Sequence, residues 1–344
     1  MKKFRALLLE NDIFQTFFIL AIIVVVCAIY VSVVPTNYLV CVGISVLAFA
    51  SLSTAWNIIG GYAGQNCWCL ASFMAMGSYS SVMLYYYFDI NPWLSMWVGV
   101  VVAAIVSVII GTIAFKHRGI FFTLLTTSCS EIIRLCLIYF KQYTGGSNGL
   151  WVTFNRKKIG MLNLIFSEDT PFFWIMMFVL LFCLIMSWSI KRSKLGYYLR
   201  AIGSDQDAAQ SLGIDIRRSK LLAFLFASIM ASIIGTVYGF YLAYIDPTTV
   251  AATAISTKIG AIAIVGGVGT LWGPPLGALI LIPLSEISNK LLGASGSGML
   301  LYGLTLVIVI IARPMGIISF FQKDGSRTLN TNPLFKRLAY KKEE

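Results

Sequence analysis

Continuous apolar runs of about twenty residues recur along this chain, and no other feature constrains its fold as strongly. An α-helix needs about 20 apolar residues to cross the hydrocarbon core of a bilayer. None of the runs alternates with the period of two that marks a β-barrel strand. The chain is 58% hydrophobic and only 12% charged, whereas a soluble domain is about a quarter charged. We therefore predict an all-α polytopic membrane protein with about ten transmembrane segments. These segments are residues 13–34, 38–58, 68–88, 93–115, 119–140, 172–190, 221–245, 255–268, 272–291 and 298–313.

The basic residues predict how the bundle is oriented, because Lys and Arg accumulate in cytoplasmic loops near the ends of spans. Of the 26 Lys and Arg residues, 19 lie in the N-terminal arm, the turn 116–118, the loop 191–220 and the C-terminal segment. An even number of crossings puts all four on one side, and ten satisfies this. We expect both termini to be cytoplasmic. The segment 141–171 argues against this, since it is outside by this count and yet holds four basic residues.

The same reasoning divides the chain into three parts. Residues 1–12 form a cytoplasmic arm, 13–315 form a single transmembrane domain, and 316–344 form a basic cytoplasmic tail. The formal net charge of +12 would also suit nucleic acid. Because most of the charge lies in loops and the tail, we expect contact with membrane lipid and none with nucleic acid.

No pattern in the chain is typical of an enzyme or of a metal site. His117 is the single histidine and has no Ser or Cys partner in a motif, and no phosphate-binding loop occurs. The seven cysteines lie in or beside apolar segments, without the spacing of zinc ligands. We expect no metal or cofactor in this chain, and no ATP hydrolysis by it.

The long basic loop contains a segment, Gly203 to Gly213, whose residue order predicts a short helix. Ser204 is placed to cap it, acidic residues follow at the positive end of its dipole, and Gly213 can end it in a left-handed conformation. Such a helix either docks a partner or packs on its own bundle, and composition does not separate the two. Its small apolar face would consist of Ala208, Ala209 and Leu212.

Within this helix, Asp207-Ala208-Ala209-x-x-x-Gly213 is a one-residue variant of the E-A-A-x-x-x-G signature with which ABC importer permeases present a coupling helix to their ATPase. Further matches occur in order and spacing along most of the chain. They are Gly60-Gly61-Tyr62-Ala63-Gly64-Gln65, Arg118-Gly119-Ile120-Phe121-Phe122, Glu131-Ile132-Ile133-Arg134-Leu135, Thr144-Gly145-Gly146-Ser147-Asn148-Gly149 and Gly266-Gly267-Val268-Gly269-Thr270-Leu271-Trp272-Gly273-Pro274. Together they resemble the LivM-type permease subunit of branched-chain amino-acid ABC transporters.

The resemblance implies partners and residue roles. The partners are a second permease of the LivH type, two cytoplasmic ATPases that hold ATP and Mg, and an extracytoplasmic solute-binding protein, all at a bacterial inner membrane. The implied solute is a branched-chain amino acid. A urea or short-amide permease, and a self-sufficient channel or secondary transporter, are the alternatives. The residues implied in ATPase coupling are Arg200, Asp207, Ala208, Ala209, Leu212 and Gly213.

Two glycine-rich breaks and one charged pair are the candidates for the translocation path. Glycines that break a helix at membrane depth are tolerated where the freed backbone lines a cavity, but glycine also lets spans pack closely. We expect a reentrant or broken element at 266–273, and give close packing equal weight at 60–61. Charges three residues apart in the fifth span can pair, either as a structural ion pair or along the path. The candidates are Gly60, Gly61, Tyr62, Gly64, Gln65, Glu131, Arg134, Gly266, Gly267, Gly269 and Gly273.

One segment departs from the family pattern. After Gln65 the family usually continues with a Ser-Leu-Gly-His-type segment, whereas this chain has Asn66-Cys67-Trp68-Cys69. Because the departure lies beside the first glycine-rich break, it bears on the choice of solute more than on the mechanism.

Overall fold

The structure is a computed structural model, and it describes most of the chain between residues 37 and 320. The described residues are 20, 24, 27, 30, 37–152, 160–161, 163–166, 168–292, 303–304, 307 and 316–320. The predicted N-terminal arm, most of the first and tenth predicted spans, and nearly all of the predicted tail lie outside them.

The described residues form α-helices joined by short turns and a single pair of two-residue strands. The helices are α1 (Asn37–Asn57), α2 (Leu70–Phe88), α3 (Pro92–Ala114), α4 (Ile120–Tyr139), α5 (Lys141–Thr144), α6 (Thr170–Arg192), α7 (Lys194–Ser204), α8 (Gln206–Ser211), α9 (Ile216–Leu242), α10 (Pro247–Val250), α11 (Thr253–Gly267) and α12 (Gly273–Leu292). A π-helical turn, Ile58–Tyr62, extends α1, and 3-10 turns lie at Gly146–Asn148 and Ile317–Phe320. Strand β1 (Leu150–Trp151) pairs antiparallel with β2 (Tyr244–Ile245).

Among the residues that the structure describes, six helical stretches are long and apolar enough to cross a membrane, which confirms an all-α polytopic membrane protein. They are Asn37–Tyr62, Pro92–Ala114, Ile120–Tyr139, Thr170–Arg192, Ile216–Leu242 and Pro247–Gly267, with a shorter apolar helix at Gly273–Ser288. The second to ninth predicted spans each coincide with a described helix, and their limits agree within five residues. The count of ten crossings stays a prediction.

Side-chain caps fix the first residue of several helices. Asn91 accepts a hydrogen bond from the backbone N–H of Trp93 (2.9 Å) and is followed by a proline, so α3 begins there. Asp215 accepts a hydrogen bond from the backbone N–H of Arg218 (3.0 Å) and begins α9. Such caps satisfy N–H groups that the first turn of a helix leaves without a partner.

The centre of the bundle is the crossing of α2 and α9, which approach each other through small residues. A Cβ atom at Gly77 would lie 2.0 Å from the carbonyl oxygen of Ser232, and one at Gly235 would lie 2.0 Å from that of Met74. The Ser78 hydroxyl donates a hydrogen bond across the crossing to the carbonyl of Gly235 (2.7 Å). The two backbones are therefore in direct contact, the packing that small residues permit between membrane helices.

The loops gather at two ends of the bundle. At one end, the Arg118 guanidinium forms an ion pair with Asp207 (2.6 Å), so the basic turn after α3 lies beside the basic loop 191–220. We call this the coupling-loop end. At the opposite end, Leu150 pairs with Ile245 and joins the segment after α4 to the one after α9. The two basic loops that were predicted to share one side of the membrane thus lie together.

Candidate coupling and gate site

The loop predicted to hold a coupling helix forms two short helices, α7 and α8, that are separated at Asp205. Asp205 has an extended backbone, and its carboxylate accepts hydrogen bonds from the backbone N–H groups of Asp207 (2.9 Å) and Ala208 (3.0 Å). The predicted cap, Ser204, is wrong, because α7 continues through Ser204 and the chain turns one residue later. Gly213 adopts φ +80°, so the predicted left-handed end is confirmed.

The outward face of α8 differs from the predicted one. Ala209 is only 2% exposed and packs into its own chain, whereas Leu212 is 81% exposed and Ala208 is also exposed. Of the two alternatives left open for the apolar face, Ala209 therefore follows the second and packs on its own bundle, because the break at Asp205 fixes the register of α8 and turns this alanine inward. Ala208 and Leu212 remain as the apolar groups that a partner could reach.

Two arginines hold this loop in place. Arg118 pairs with Asp207, the acidic residue of the Asp207-Ala208-Ala209-x-x-x-Gly213 motif; the sequence had indicated Arg118 as an orienting charge and as part of a matching motif, but not as the partner of Asp207. Arg200 lies over the ring of Tyr197 (4.7 Å to its centroid) and donates to the carbonyl of Lys191 (3.4 Å). Arg200 therefore ties α7 to the end of α6, and its described contacts are not with α8.

The first glycine-rich break is a widened helical turn. Gly60, Gly61 and Tyr62 lie in the π-helical turn that ends α1, and such turns are frequent at functional sites. The chain then reverses at Gly64, which has φ +64°. The backbone N–H of Gln65 closes the reversal by donating to the carbonyl of Ile59 (3.1 Å). The sequence left two alternatives for residues 60–61, a broken helix or close packing between helices. This segment shows both.

The second glycine-rich break separates α11 from α12, as predicted. Gly267 and Gly269 have φ +131° and +76°, a left-handed region that other residues seldom occupy. A Cβ atom at Gly266 would lie 1.9 Å from the carbonyl oxygen of Gly273, so the two helix ends touch through their backbones. The Thr270 hydroxyl donates to the carbonyl of Gly267 (2.7 Å) and accepts from the N–H of Gly273 (3.1 Å).

Asn57 joins the two breaks, and sequence reasoning missed it. Its side chain is fully buried. Its amide nitrogen donates to the carbonyl of Thr270 (2.8 Å), and its amide oxygen accepts from the N–H of Gly269 (2.8 Å). A Cβ atom at Gly61 would lie 2.0 Å from that oxygen, so glycine is required there. One amide therefore satisfies two backbone groups that unwinding frees. The available signal was an asparagine near the end of an apolar run, three residues before two consecutive glycines.

The coupling loop contacts the first break directly. Gly203, near the end of α7, packs against the backbone of the π-helical turn, and a Cβ atom there would lie 2.7 Å from the carbonyl oxygen of Tyr62. The Tyr62 hydroxyl in turn lies 3.1 Å from that of Ser187 on α6. A continuous series of contacts thus runs from α8 through α7 and the π-helical turn to Asn57 and the second break.

The charged pair lies apart from this series. The Arg134 Nε donates to both carboxylate oxygens of Glu131 (2.9 and 3.1 Å), and the Thr253 hydroxyl donates to one of them (3.4 Å). The two side chains are 22% and 41% exposed. The structure therefore brings together the glycine-rich candidates, but it places the pair beside the start of α11.

The segment that departs from the family pattern lies unwound between α1 and α2. The Trp56 indole donates to the carbonyl of Cys67 (2.7 Å), and the sulfurs of Cys67 and Cys69 lie 3.3 Å apart as free thiols. Among the described residues, no group of three or more His, Cys, Asp or Glu side chains could hold a metal ion.

The sequence is similar to those of known permease proteins. Residues 36–310 match the family described as branched-chain amino acid transport system / permease component. The LivM high-affinity branched-chain amino acid transport system permease protein of Escherichia coli K12 is 24% identical over 296 residues, 79% of this chain and 68% of that protein. The probable branched-chain amino acid transport permease protein LivH of Methanocaldococcus jannaschii is 28% identical over 278 residues, 76% of this chain and 85% of that protein. The autoinducer 2 import system permease protein LsrC of Enterobacter sp. strain 638 is 30% identical over 115 residues, 32% of this chain and 34% of that protein. No solved structure matches the chain.

The apolar helical bundle defines a multi-pass membrane protein, and the family match makes it a permease component. All of its described spans lie within the residues that the family match covers. The chain belongs to the branched-chain amino acid transport system permease family.

Proposed function

We propose that the chain is the membrane-spanning permease subunit of an ATP-driven importer of branched-chain amino acids, with no ATPase site of its own. The observation that carries this proposal is the series of contacts from α8 to both glycine-rich breaks, in which Gly203 packs on Tyr62 and Asn57 binds the loop 269–270. The relatives LivM and LivH, which are named as branched-chain amino acid transport permeases, support the choice of solute.

In this proposal, an ATPase binds the outward side of α8 through Ala208 and Leu212. Closure of the ATPases pulls α8 and α7, and Gly203 transmits the movement to the backbone of the π-helical turn. Asn57 then moves the second break together with the first, because it is hydrogen-bonded across both. Movement of the two breaks alternates access to the solute path.

The remaining subunits follow from the same proposal. Two cytoplasmic ATPases supply ATP and Mg, a LivH-type permease is the second membrane subunit, and an extracytoplasmic binding protein delivers the solute. The chain crosses a bacterial inner membrane ten times with both termini in the cytoplasm. The coupling-loop end, which holds the basic turn 116–118 and the loop 191–220, faces the ATPases, in agreement with the positive-inside rule.

Uptake into proteoliposomes tests the function. The chain is reconstituted with its second permease and ATPases, binding protein is added outside, and labelled leucine is followed inside. We expect uptake that requires both ATP and binding protein and that valine and isoleucine inhibit. Uptake without ATP would identify a channel or secondary transporter instead, and inhibition by urea rather than valine would identify an amide permease.

The role of α8 has a separate test with a matched control. Leu212→Ala should weaken binding of the ATPase about tenfold or more, since burying a leucine contributes about 1.5–3 kcal/mol and each 1.4 kcal/mol is tenfold in affinity. Leu222→Ala removes another exposed leucine, at the start of α9, and should leave ATPase binding unchanged. Equal co-purification of the ATPase with both variants would exclude α8 as its docking site.

A further inference from the structure

Two residues of opposite charge lie among the helices of the bundle, one on each side of the second glycine-rich break. Lys258 is on α11 and Glu286 is on α12, and these two helices pack on each other and on α1. The Lys258 ammonium lies 4.6 Å from the ring centroid of Phe49, and Phe49 is at the middle of the 26-residue stretch Asn37–Tyr62. The ammonium is therefore at membrane depth, and Lys258 does not extend to a loop as a snorkelling lysine does.

Glu286 lies near this cation without forming an ion pair with it. The residue is half-buried, and its carboxylate is within electrostatic range of Lys258 and of the Tyr238 hydroxyl on α9. Tyr238 packs edge-on against Phe49, with the ring centroids 6.4 Å apart. Within the part of the chain that the structure describes, no residue donates a hydrogen bond to Glu286 or forms an ion pair with it. We call Phe49, Tyr238, Lys258 and Glu286 the charged cluster.

The chain contains, for comparison, two charges that satisfy each other. Arg134 Nε donates to both carboxylate oxygens of Glu131, at 2.9 and 3.1 Å, and both residues lie on α4. Lys258 and Glu286 lie on two different helices and stay apart. Ionisable groups at membrane depth are costly, and they mark solute or ion pathways where they do not serve each other directly. A charged group from outside the chain can therefore bind between Lys258 and Glu286.

We propose that the charged cluster is a contact site for the zwitterionic head of an amino-acid solute, in which Lys258 binds the α-carboxylate and Glu286 binds the α-ammonium. The proposal rests on the proposed function for the class of solute. An amino acid that crosses an apolar bundle loses the water around both of its charges, so each charge needs an opposite charge in exchange. The cluster provides one charge of each sign, whereas urea or a short amide carries no charge that would use them.

The placement of the two charges connects this site to the second break. The segment from Gly267 to Gly273 joins α11 to α12, so Lys258 precedes the break and Glu286 follows it. Bending at the break changes the angle between the two helices, and with it the distance between the ammonium and the carboxylate. A solute that both groups hold in one conformation is held by only one of them in the other. Movement of the break therefore releases the solute.

Photoleucine, the diazirine analogue of leucine, tests where the solute lies. It is supplied through the binding protein to the reconstituted importer and irradiated during transport, and mass spectrometry identifies the residues to which it attaches. We expect attachment to α1, α11 and α12 around Phe49, Lys258 and Glu286. Attachment confined to other helices overturns the site.

Neutral variants of similar shape test the two charges. Lys258→Gln, Glu286→Gln and the variant that carries both are compared with Ser288→Ala, whose hydroxyl donates to the carbonyl of Leu284 in its own helix (2.7 Å). Each glutamine variant should lower leucine uptake and photoleucine attachment about tenfold or more, because hydrogen bonds between charged groups are the strong ones. Ser288→Ala should keep both. If the two charges only stabilised the bundle, the double variant would recover the uptake that either single variant loses.

A double variant that reaches the membrane at normal yield and takes up leucine at the normal rate overturns the proposal. If its yield falls, the attachment sites of photoleucine in the unaltered chain decide. Leucine uptake by the unaltered importer with attachment elsewhere overturns the site alone. If the importer carries a different amino acid and the glutamine variants lose that uptake, the site is supported and leucine is overturned as the solute. Uptake of urea in place of any amino acid overturns both.

Discussion

Replacement of Asn57 by alanine tests whether the two glycine-rich breaks act as one unit. The substitution removes the hydrogen bonds to Gly269 N–H and Thr270 C=O, both 2.8 Å long. Neither backbone group belongs to a helix, so no intrahelical hydrogen bond replaces the one that is lost. The variant should fold, because the apolar contacts of α1 remain, but the loop between α11 and α12 should no longer be fixed to the π-helical turn.

The magnitude follows from the burial of the two backbone groups. A buried donor or acceptor that loses its partner costs about 1–3 kcal/mol, and Gly269 and Thr270 are half-buried, so the lower end applies to each. The free energy of unfolding should therefore fall by about 2 kcal/mol, roughly a thirtyfold change in the unfolding equilibrium.

Ser53→Ala is the matched control. Ser53 is also fully buried on α1 and donates one hydrogen bond to α11, at the carbonyl of Ile259 (2.9 Å), about two turns before the break. Its loss should cost about 1 kcal/mol and leave transport intact. Unfolding of each variant is measured by titration with denaturing detergent, and leucine uptake is normalised to folded protein.

Asn57→Ala should lose most of its uptake per folded molecule, whereas Ser53→Ala should keep it. If both variants lose the same stability and both still transport, the hydrogen bonds of Asn57 contribute only to stability. The proposal that Asn57 couples the two breaks is then refuted.

Three further outcomes are expected. Gly235→Ala should destabilise the protein by about 1–3 kcal/mol, because its Cβ would lie 2.0 Å from the Met74 carbonyl oxygen; unchanged thermal stability would contradict this. Glu131→Leu leaves Arg134 without its carboxylate and should lower the membrane yield, while replacing both by leucine should restore it; a double variant with a lower yield than the single would argue against a paired charge. A cysteine at position 205 of a cysteine-free chain should react with impermeant maleimide only in inverted vesicles. Labelling from outside intact cells would show that the chain has the opposite orientation.

The helices could be predicted from the sequence because each depends on a continuous stretch of chain. The apolar runs 38–58 and 93–115, for example, correspond to α1 (Asn37–Asn57) and α3 (Pro92–Ala114). The break between α11 and α12 was predictable for the same reason, since its glycines are consecutive or nearly so.

The contacts of the site could not be predicted in this way. Asn57 and Gly269 are 212 positions apart, and no local pattern indicates which of many polar residues will meet. The inward direction of Ala209 depends on whether α8 begins after Ser204 or after Asp205, and a shift of one residue rotates every side chain by about 100°. Small errors in a helix boundary therefore become large errors in a docking face.

The crossing of α2 and α9 limits the kinds of motion that this permease can use. With the Cα atoms of Gly77 and Gly235 seated against the opposite backbone, sliding one helix along the other would drive a larger neighbouring side chain into a carbonyl group. Shear between these two helices is thus blocked, and they must travel as a single rigid body. Conformational change must then occur outside this pair of helices, and the two segments with unwound backbone beside α1 and α11 are where hinges can bend.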